Sequence, residues 1–461
     1  MFPPLPQKKA AAILNDLVHF LDSGCARLVQ VSRPSEERKN QGVMLGVLVC
    51  RDSDGNEVSL VTNSGNAKKL LCDDFCNMVV VPPIASNEDI ERALSDNDRE
   101  IHEITEKLES AQNQQPSILT DSDLQHLRKQ RDLLCARSLE KVYDLYNFHC
   151  IDSKIRSLKE ICSEYNGGKL PPTGTGDCCA PKLFDYAFAN NLVPLSLAET
   201  AYPVVSGGTG SAACVKTDLL LTSPCDERCG ILLPAMLGLR ILYRDDSICV
   251  VNKQSGLLSV PGRGEDKQDC IESRFRRLFP ESVEIKQPAV HRLDMETSGV
   301  MILAFTKSAH RELNRQFEAK EVQKEYVALL DGVLPKLGIA QHGEMELFFR
   351  LDIDNRPHQI WDRENGKSAI TEWKILGVER YHAPDGTTRN ATRVLFLPHT
   401  GRTHQLRLAS ADSHGFGVPI IGDTLYGHCD NGERLMLHAR KVIFTHPVTG
   451  ERMTIECAPE F

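Results

Sequence analysis

Long apolar runs are what this chain of 461 residues most plainly lacks. None approaches the roughly 18 consecutive apolar residues of a membrane-spanning helix. The opening Met1-Phe2-Pro3-Pro4-Leu5-Pro6-Gln7-Lys8-Lys9 has no continuous apolar stretch of the signal-peptide kind. Both absences lead to the expectation of a soluble, cytoplasmic protein without a membrane role. A basic excess is missing too: 54 Lys and Arg stand against 63 Asp and Glu, for a net charge of −9. That excludes a protein that coats nucleic acid nonspecifically. The acidic excess is uneven, because residues 236–461 hold about 30 basic and about 31 acidic side chains. A local basic groove in that half stays open. The glycine-rich stretch in residues 166–235 has no Gly-Lys-Ser/Thr ending, so a phosphate-binding P-loop is excluded there.

With 41% hydrophobic and 25% charged residues, the chain can bury a large core and should form two or more domains. Sixteen cysteines without a secretory signal point to free thiols or a metal site, not a disulfide framework. Residues 1–86 read as a small α+β region, with a β-hairpin from Val43–Val49 to Val58–Val61 around the turn Asp52-Ser53-Asp54-Gly55-Asn56. Residues 87–165 read as a helical hairpin. Ile90, Leu94, Ile101, Ile104 and Leu108 share one face, and Leu124, Leu127, Leu134 and Leu139 resume it beyond a break at Pro116. Thr120-Asp121-Ser122-Asp123 offers the second N-cap. Such an arm contacts RNA or a partner, or is simply a structural or dimerising hairpin; the sequence favours the second reading.

Residues 166–235 are rich in Gly, Pro, Thr and Cys. Cys178, Cys179, Cys225 and Cys229 could bring four sulfurs to one structural zinc. The spacing is imperfect, since adjacent cysteines seldom ligate one ion and Cys225 to Cys229 is a residue longer than a usual knuckle. A zinc deaminase would add His-x-Glu or Cys-x-Glu to a Pro-Cys-x-x-Cys, and neither accompanies Cys178-Cys179-Ala180-Pro181.

From 236 to 461 the texture becomes strands and turns. Ile241 to Lys253 reads as two strands joined at Asp245-Asp246, closed by the loop Ser255 to Gly262. His291-Arg292-Leu293-Asp294-Met295-Glu296-Thr297-Ser298-Gly299 then runs into the apolar strand Val300 to Phe305. Polar side chains on a loop entering a buried strand are held where a rigid scaffold can present them. An Asp two residues from an Arg can stay ionised in a partly dry cleft.

The stretch from His291 to Gly299 resembles the signature H-R-L-D-x-x-T-S-G of the RluA family of pseudouridine synthases, without a mismatch. Other parts of the resemblance follow in order over about 220 residues, from about Leu239 onward. They are Val251-Asn252-Lys253-Gln254-Ser255-Gly256-Leu257, Arg311 to Phe317, Lys324-Glu325-Tyr326-Val327-Ala328, and Gly401-Arg402-Thr403-His404-Gln405-Leu406-Arg407. Pro419 to Asp423, Tyr426-Gly427 and Leu437-His438-Ala439 continue the last of them. Three departures stand out: Gln254 replaces a usual proline, Ala409 replaces a usual histidine, and the link from Arg407 to Pro419 is longer than in the shortest members. The last two are expected to affect a loop near RNA. The S4 RNA-binding module of many relatives is not visible upstream.

The resemblance implies an α+β fold with a mostly antiparallel mixed sheet, and isomerisation of uridine to pseudouridine in loops of large-subunit ribosomal RNA and of tRNA. It makes Asp294 the covalent nucleophile, Tyr326 a platform and a candidate proton acceptor, and Arg407 the ion-pair partner of Asp294. Arg292, Arg402, His404 and Lys253 are expected to face RNA, and catalysis needs no metal, nucleotide or redox cofactor. The competing readings are a noncatalytic RNA-binding relative, which should have a damaged Asp or Tyr motif, and a two-function protein with zinc in its N-terminal half. The RNA site modified and the oligomeric state are not legible.

Overall fold

The computed structural model describes residues 2–31, 42–73, 76–113, 120–203, 219–280, 283–429 and 432–461. The chain divides into two compact units, Met1–Gly238 and Leu239–Phe461. The expected break at Pro116, and part of the Gly/Pro/Cys-rich segment, lie outside the described residues.

The first unit opens with α1 (Lys8–Ser23), β1 (Ala26–Gln30), β2 (Val43–Arg51), β3 (Glu57–Asn63), β4 (Lys68–Cys72) and β5 (Val79–Val80). The expected hairpin forms between β2 and β3. Its turn is tied by Asp52 Oδ1, which accepts from the backbone N–H of Asp54 and Asn56 at 3.0 and 2.8 Å. Next come α2 (Asn87–Asn113) and α3 (Asp121–Tyr143), which bury Ile104, Leu108 and Leu134 between them. Thr120 caps α3 in a reciprocal capping box with Asp123.

The unit continues with β6 (Asn147–His149), β7 (Ile155–Ser157), α4 (Leu158–Tyr165), α5 (Cys179–Ala189), β8 (Val193–Tyr202), β9 (Leu221–Thr222) and α6 (Cys229–Leu237). Its main sheet has the order β5-β3-β2-β8-β9, so strands from both sides of the helical hairpin share one sheet. Helix α5 lies on that sheet where Gly46 leaves room: a Cβ there would collide with the Cys179 side chain.

The second unit is α+β around one ten-stranded sheet. Its elements are β10 (Arg240–Arg244), β11 (Ile248–Lys253), α7 (Ile271–Leu278), β12 (Ser298–Ala304), α8 (Lys307–Glu318), β13 (Gln323–Leu330), β14 (His342–Leu351), β15 (Gln359–Trp361), β16 (Lys367–His382), β17 (Thr388–Pro398), α9 (Gln405–Ala411), β18 (Leu437–Thr445) and β19 (Arg452–Glu456). The strand order is β10-β11-β12-β18-β13-β17-β16-β14-β15, with β19 on β18. Within this sheet only β12 and β18 run parallel among the described strand pairs. Every residue of β12 is buried, as its apolar run requires of a central strand. Gly299, its second residue, has φ +120°, and a side chain there would strike the backbone of Ala439 on β18. Two cores flank the sheet, one around Ile302, Leu313 and Phe444 and one around Leu330, Val394 and Phe396. Between their edges the ends of β12, β13 and β17 and the start of α9 surround a cleft.

Candidate active site

Asp294 sits in the loop before β12, and the backbone of that loop is held at each residue from Leu293 to Thr297. Ser259 Oγ donates to the Leu293 carbonyl at 2.7 Å and accepts from the Leu293 N–H at 3.0 Å. Thr297 N–H closes a turn onto the Asp294 carbonyl at 3.1 Å. The Met295 carbonyl receives Lys253 Nζ at 2.8 Å and Gly256 N–H at 2.9 Å, and the Glu296 carbonyl receives Ser255 Oγ at 2.6 Å. His291 anchors the other end: its Nε2 accepts from Ile302 N–H at 3.0 Å, and its ring lies 4.9 Å from that of Phe317. Burial, then Lys324, pulls the His291 pKa down to about 3, so the ring stays neutral. The half-buried Asp294 carboxylate accepts no hydrogen bond among the described residues.

Lys253 does not face RNA. It is fully buried, and besides Met295 its ammonium donates to the carbonyls of Gln254 at 3.0 Å and Leu257 at 2.6 Å. Burial pulls its pKa down to about 7, and the charge of Asp294 opposes that. Three carbonyl acceptors are all satisfied only by –NH₃⁺, since the neutral amine has two N–H groups, so the geometry favours the ion. Its role is to clamp the Asp294 loop.

Arg407, on α9, is 2% exposed and is not the direct partner of Asp294. Its Nε and Nη2 bind the two oxygens of fully buried Asp423 at 2.9 and 2.6 Å, and Nη2 lies 2.8 Å from Glu296 Oε2. The guanidinium fork is filled by the carboxylate that fits it edge-on. It acts on Asp294 only through space, as a smaller charge contribution. Asp423 also holds the N–H groups of Leu425 and Tyr426 at 2.9 and 3.0 Å.

His404 stands just before α9 at φ +56°. The Tyr426 hydroxyl accepts from Gln359 N–H at 2.8 Å and is hydrogen-bonded to His404 Nδ1, also at 2.8 Å. Burial lowers the His404 pKa, with Asp294 opposing. Arg402 is exposed, with Nε on the Ser368 carbonyl at 3.0 Å, and Arg292 is exposed at the cleft wall.

Tyr326 rises from β13 opposite a bulge in β18, where the register shifts between Glu325 and Tyr326. Bulges re-aim side chains next to sites. Burial and then Asp294 push its hydroxyl well above the ordinary phenol range. Asp294, Arg292, Tyr326, Lys324, His404 and Arg407 all line one cleft of about 540 Å³, a size that takes a nucleotide-sized group. Lys324, with Nζ on the Thr400 carbonyl at 3.3 Å, lines this cleft, and buried Asp423 and half-buried Tyr426 support it through Arg407 and His404, although the sequence motifs assigned these three residues no such role. Ala409 does not face the cleft: it is 1% exposed and packs with Leu347 and Phe349. The histidine expected there from relatives is replaced at a core position.

In the first unit, Cys178, Cys225 and Cys229 converge, with sulfurs all within 4.8 Å of one another. Cys179 does not join them. It is fully buried and its thiol donates to the Met44 carbonyl at 3.3 Å, because the first residue of a helix points away from the residue that caps it. No helix among the described residues is long and apolar enough to cross a membrane.

A family model described as RNA pseudouridylate synthase matches residues 247–412, all in the second unit. The chain is similar to the dual-specificity RNA pseudouridine synthase RluA of Haemophilus influenzae, with 42% identity over 226 residues, 48% of this chain and 94% of that protein. Its counterpart from Yersinia pestis is 42% identical over 224 residues, 48% of this chain and 99% of that protein. Among solved structures, human RNA Pseudouridylate Synthase Domain Containing 1 is 28% identical, covering 48% of this chain and 84% of its own, with a TM-score of 0.39.

Proposed function

The chain belongs to the RNA pseudouridylate synthase family, and we propose that Asp294 is the nucleophile with which it isomerises a flipped uridine in a structured RNA loop. The observation that carries this reading is a carboxylate that accepts no hydrogen bond among the described residues, at the cleft, on a loop whose four carbonyls from Leu293 to Glu296 are all bound. A pre-positioned nucleophile needs no reorganisation when substrate arrives.

Attack by Asp294 at the base or at the ribose C1′ lets the N1–C1′ bond break with its electron pair on N1. The uracil then turns, C5 bonds to C1′, the bond to Asp294 breaks with its electron pair returning to the carboxylate, and the proton on C5 leaves while N1 regains one. The step is an isomerisation with no net oxidation, so it calls for no redox cofactor, nucleotide or metal. Tyr326 is kept protonated by burial, which suits a platform under the flipped ring, with the hydroxyl as a relay and not as a strong base. The buried Thr297 hydroxyl, unpaired among the described residues, lines the same cleft and is available to the uracil edge. Arg407 orients α9 and the Asp423 loop and lends Asp294 its field.

Exposed Arg292 and Arg402 flank the cleft and take RNA phosphates, a role the near-balanced charge of this half leaves open. Unstacking the target costs a few kcal/mol and is least in a hairpin loop, which suits the tRNA and large-subunit ribosomal RNA loops that the resemblance implies as substrates. The dual specificity named for the bacterial relatives supports two RNA classes.

The test uses RNA carrying tritium at uridine C5. Incubation with the purified chain should release tritium from one or a few positions, each then mapped as pseudouridine. Failure to release tritium from either RNA class would refute the substrate assignment.

A further inference from the structure

The first unit contains a thiol cluster that RNA isomerisation does not use. Cys178 is the residue that caps α5, Cys229 is the first residue of α6, and Cys225 lies one turn before it. The loop between the last two is folded back on itself: Cys229 N–H points at Cys225 Sγ at 3.5 Å, and Gly230 N–H binds the Cys225 carbonyl at 3.0 Å. This wraps the start of α6 around one sulfur and brings it to a second sulfur from a distant part of the chain. All three thiols are free.

Ordinary packing of cysteine as a small apolar residue does not account for the arrangement. Cys225 is exposed and Cys178 is half-buried, while Cys229 is buried. In a tetrahedral zinc site with Zn–S bonds of about 2.3 Å, sulfurs lie about 3.8 Å apart. A set already within 4.8 Å needs a contraction of about 1 Å at most. The start of α6 points the Cys229 N–H at the Cys225 sulfur, which favours a thiolate there.

We propose that Cys178, Cys225 and Cys229 form a structural site for one zinc-class divalent cation. The ion ties α5 to α6 across the segment between them and so fixes the first unit, independently of the isomerase cleft. Three thiolates suit a soft, tetrahedral ion and disfavour Mg²⁺ or Ca²⁺.

The full-length chain, purified under reducing conditions, should carry about one zinc per chain by elemental analysis. Titrating metal-free protein with Co²⁺ should give intense sulfur-to-cobalt absorption in the near ultraviolet and tetrahedral bands in the visible. Cys225→Ser, at an exposed position, should lose the metal, whereas Cys135→Ser, at an exposed position outside the cluster, should keep it. Wild-type protein without metal and without cobalt bands would overturn the proposal, even if every variant misfolded. A disulfide between any two of the three cysteines in freshly purified protein would overturn it as well. Metal content is read without reference to RNA, so its failure leaves the isomerase reading intact.

Discussion

Replacing Lys253 by methionine keeps most of the aliphatic stem and removes the ammonium that three carbonyls share at 2.6 to 3.0 Å. The side chain is 0% exposed, so the orphaned carbonyls of Gln254 and Leu257 have little access to solvent in its place, while the Met295 carbonyl keeps the Gly256 N–H. Taking about 1 kcal/mol for each of the two, the low end for an unsatisfied buried group, the second unit should lose about 2 kcal/mol. For a unit of this size that is a fall in melting temperature of roughly 4–8 °C. The Met295 carbonyl lies next to Asp294, so the nucleophile shifts as well, and a displacement near 1 Å costs about a hundredfold in rate. Thermal unfolding of the full chain and single-turnover rates at saturating enzyme read the two effects separately. An RNA-contacting lysine would do the reverse: stability and the chemical rate would stay, while affinity fell and the salt dependence lost about one charge. That second pattern would refute the buried clamp.

Arg407→Met should destabilise the second unit by about 3–5 kcal/mol, because it strands the fully buried Asp423 carboxylate, and adding Asp423→Asn should recover part of that in urea titrations. Tyr326→Phe keeps the platform, so single-turnover rates should fall by less than about tenfold; a loss of a hundredfold or more would make the hydroxyl an obligatory proton acceptor. His438, whose Nδ1 meets Ser298 Oγ at 2.9 Å and whose Nε2 donates to the Cys457 carbonyl at 3.0 Å, is held neutral with a pKa near 4. A folded pKa below the unfolded one means that stability is complete above about pH 6.5 and is lost as pH falls towards 4. His291, with a pKa near 3, adds to the same slope, and denaturation midpoints measured from pH 7 to 4 should fall steadily.

The nucleophile loop was legible because its residues are contiguous: one nine-residue stretch carries the aspartate, its turn and the strand that follows. The β2–β3 hairpin was legible for the same reason, from a local turn between two apolar runs. Lys253 was misread, because a lysine at a strand end looks like a solvent-facing charge until tertiary structure places three carbonyls around it. The partner of Arg407 was hidden by distance in the chain, since Asp423 reaches it only when the loop after α9 folds back. Adjacent Cys178 and Cys179 look equivalent in sequence, yet the start of α5 turns their sulfurs to different neighbours. The pairing of β2 with β8 joins segments separated by the whole helical hairpin, and no local pattern announces it.

The central claim is that the Asp294 carboxylate performs the covalent step. Asp294→Asn preserves shape and removes the nucleophile, so single-turnover tritium release from C5-labelled RNA should drop to background while RNA affinity stays within a few fold of wild type. Turnover by Asp294→Asn at more than about a hundredth of the wild-type rate, with no deamidation of the asparagine in the recovered protein, would contradict the account.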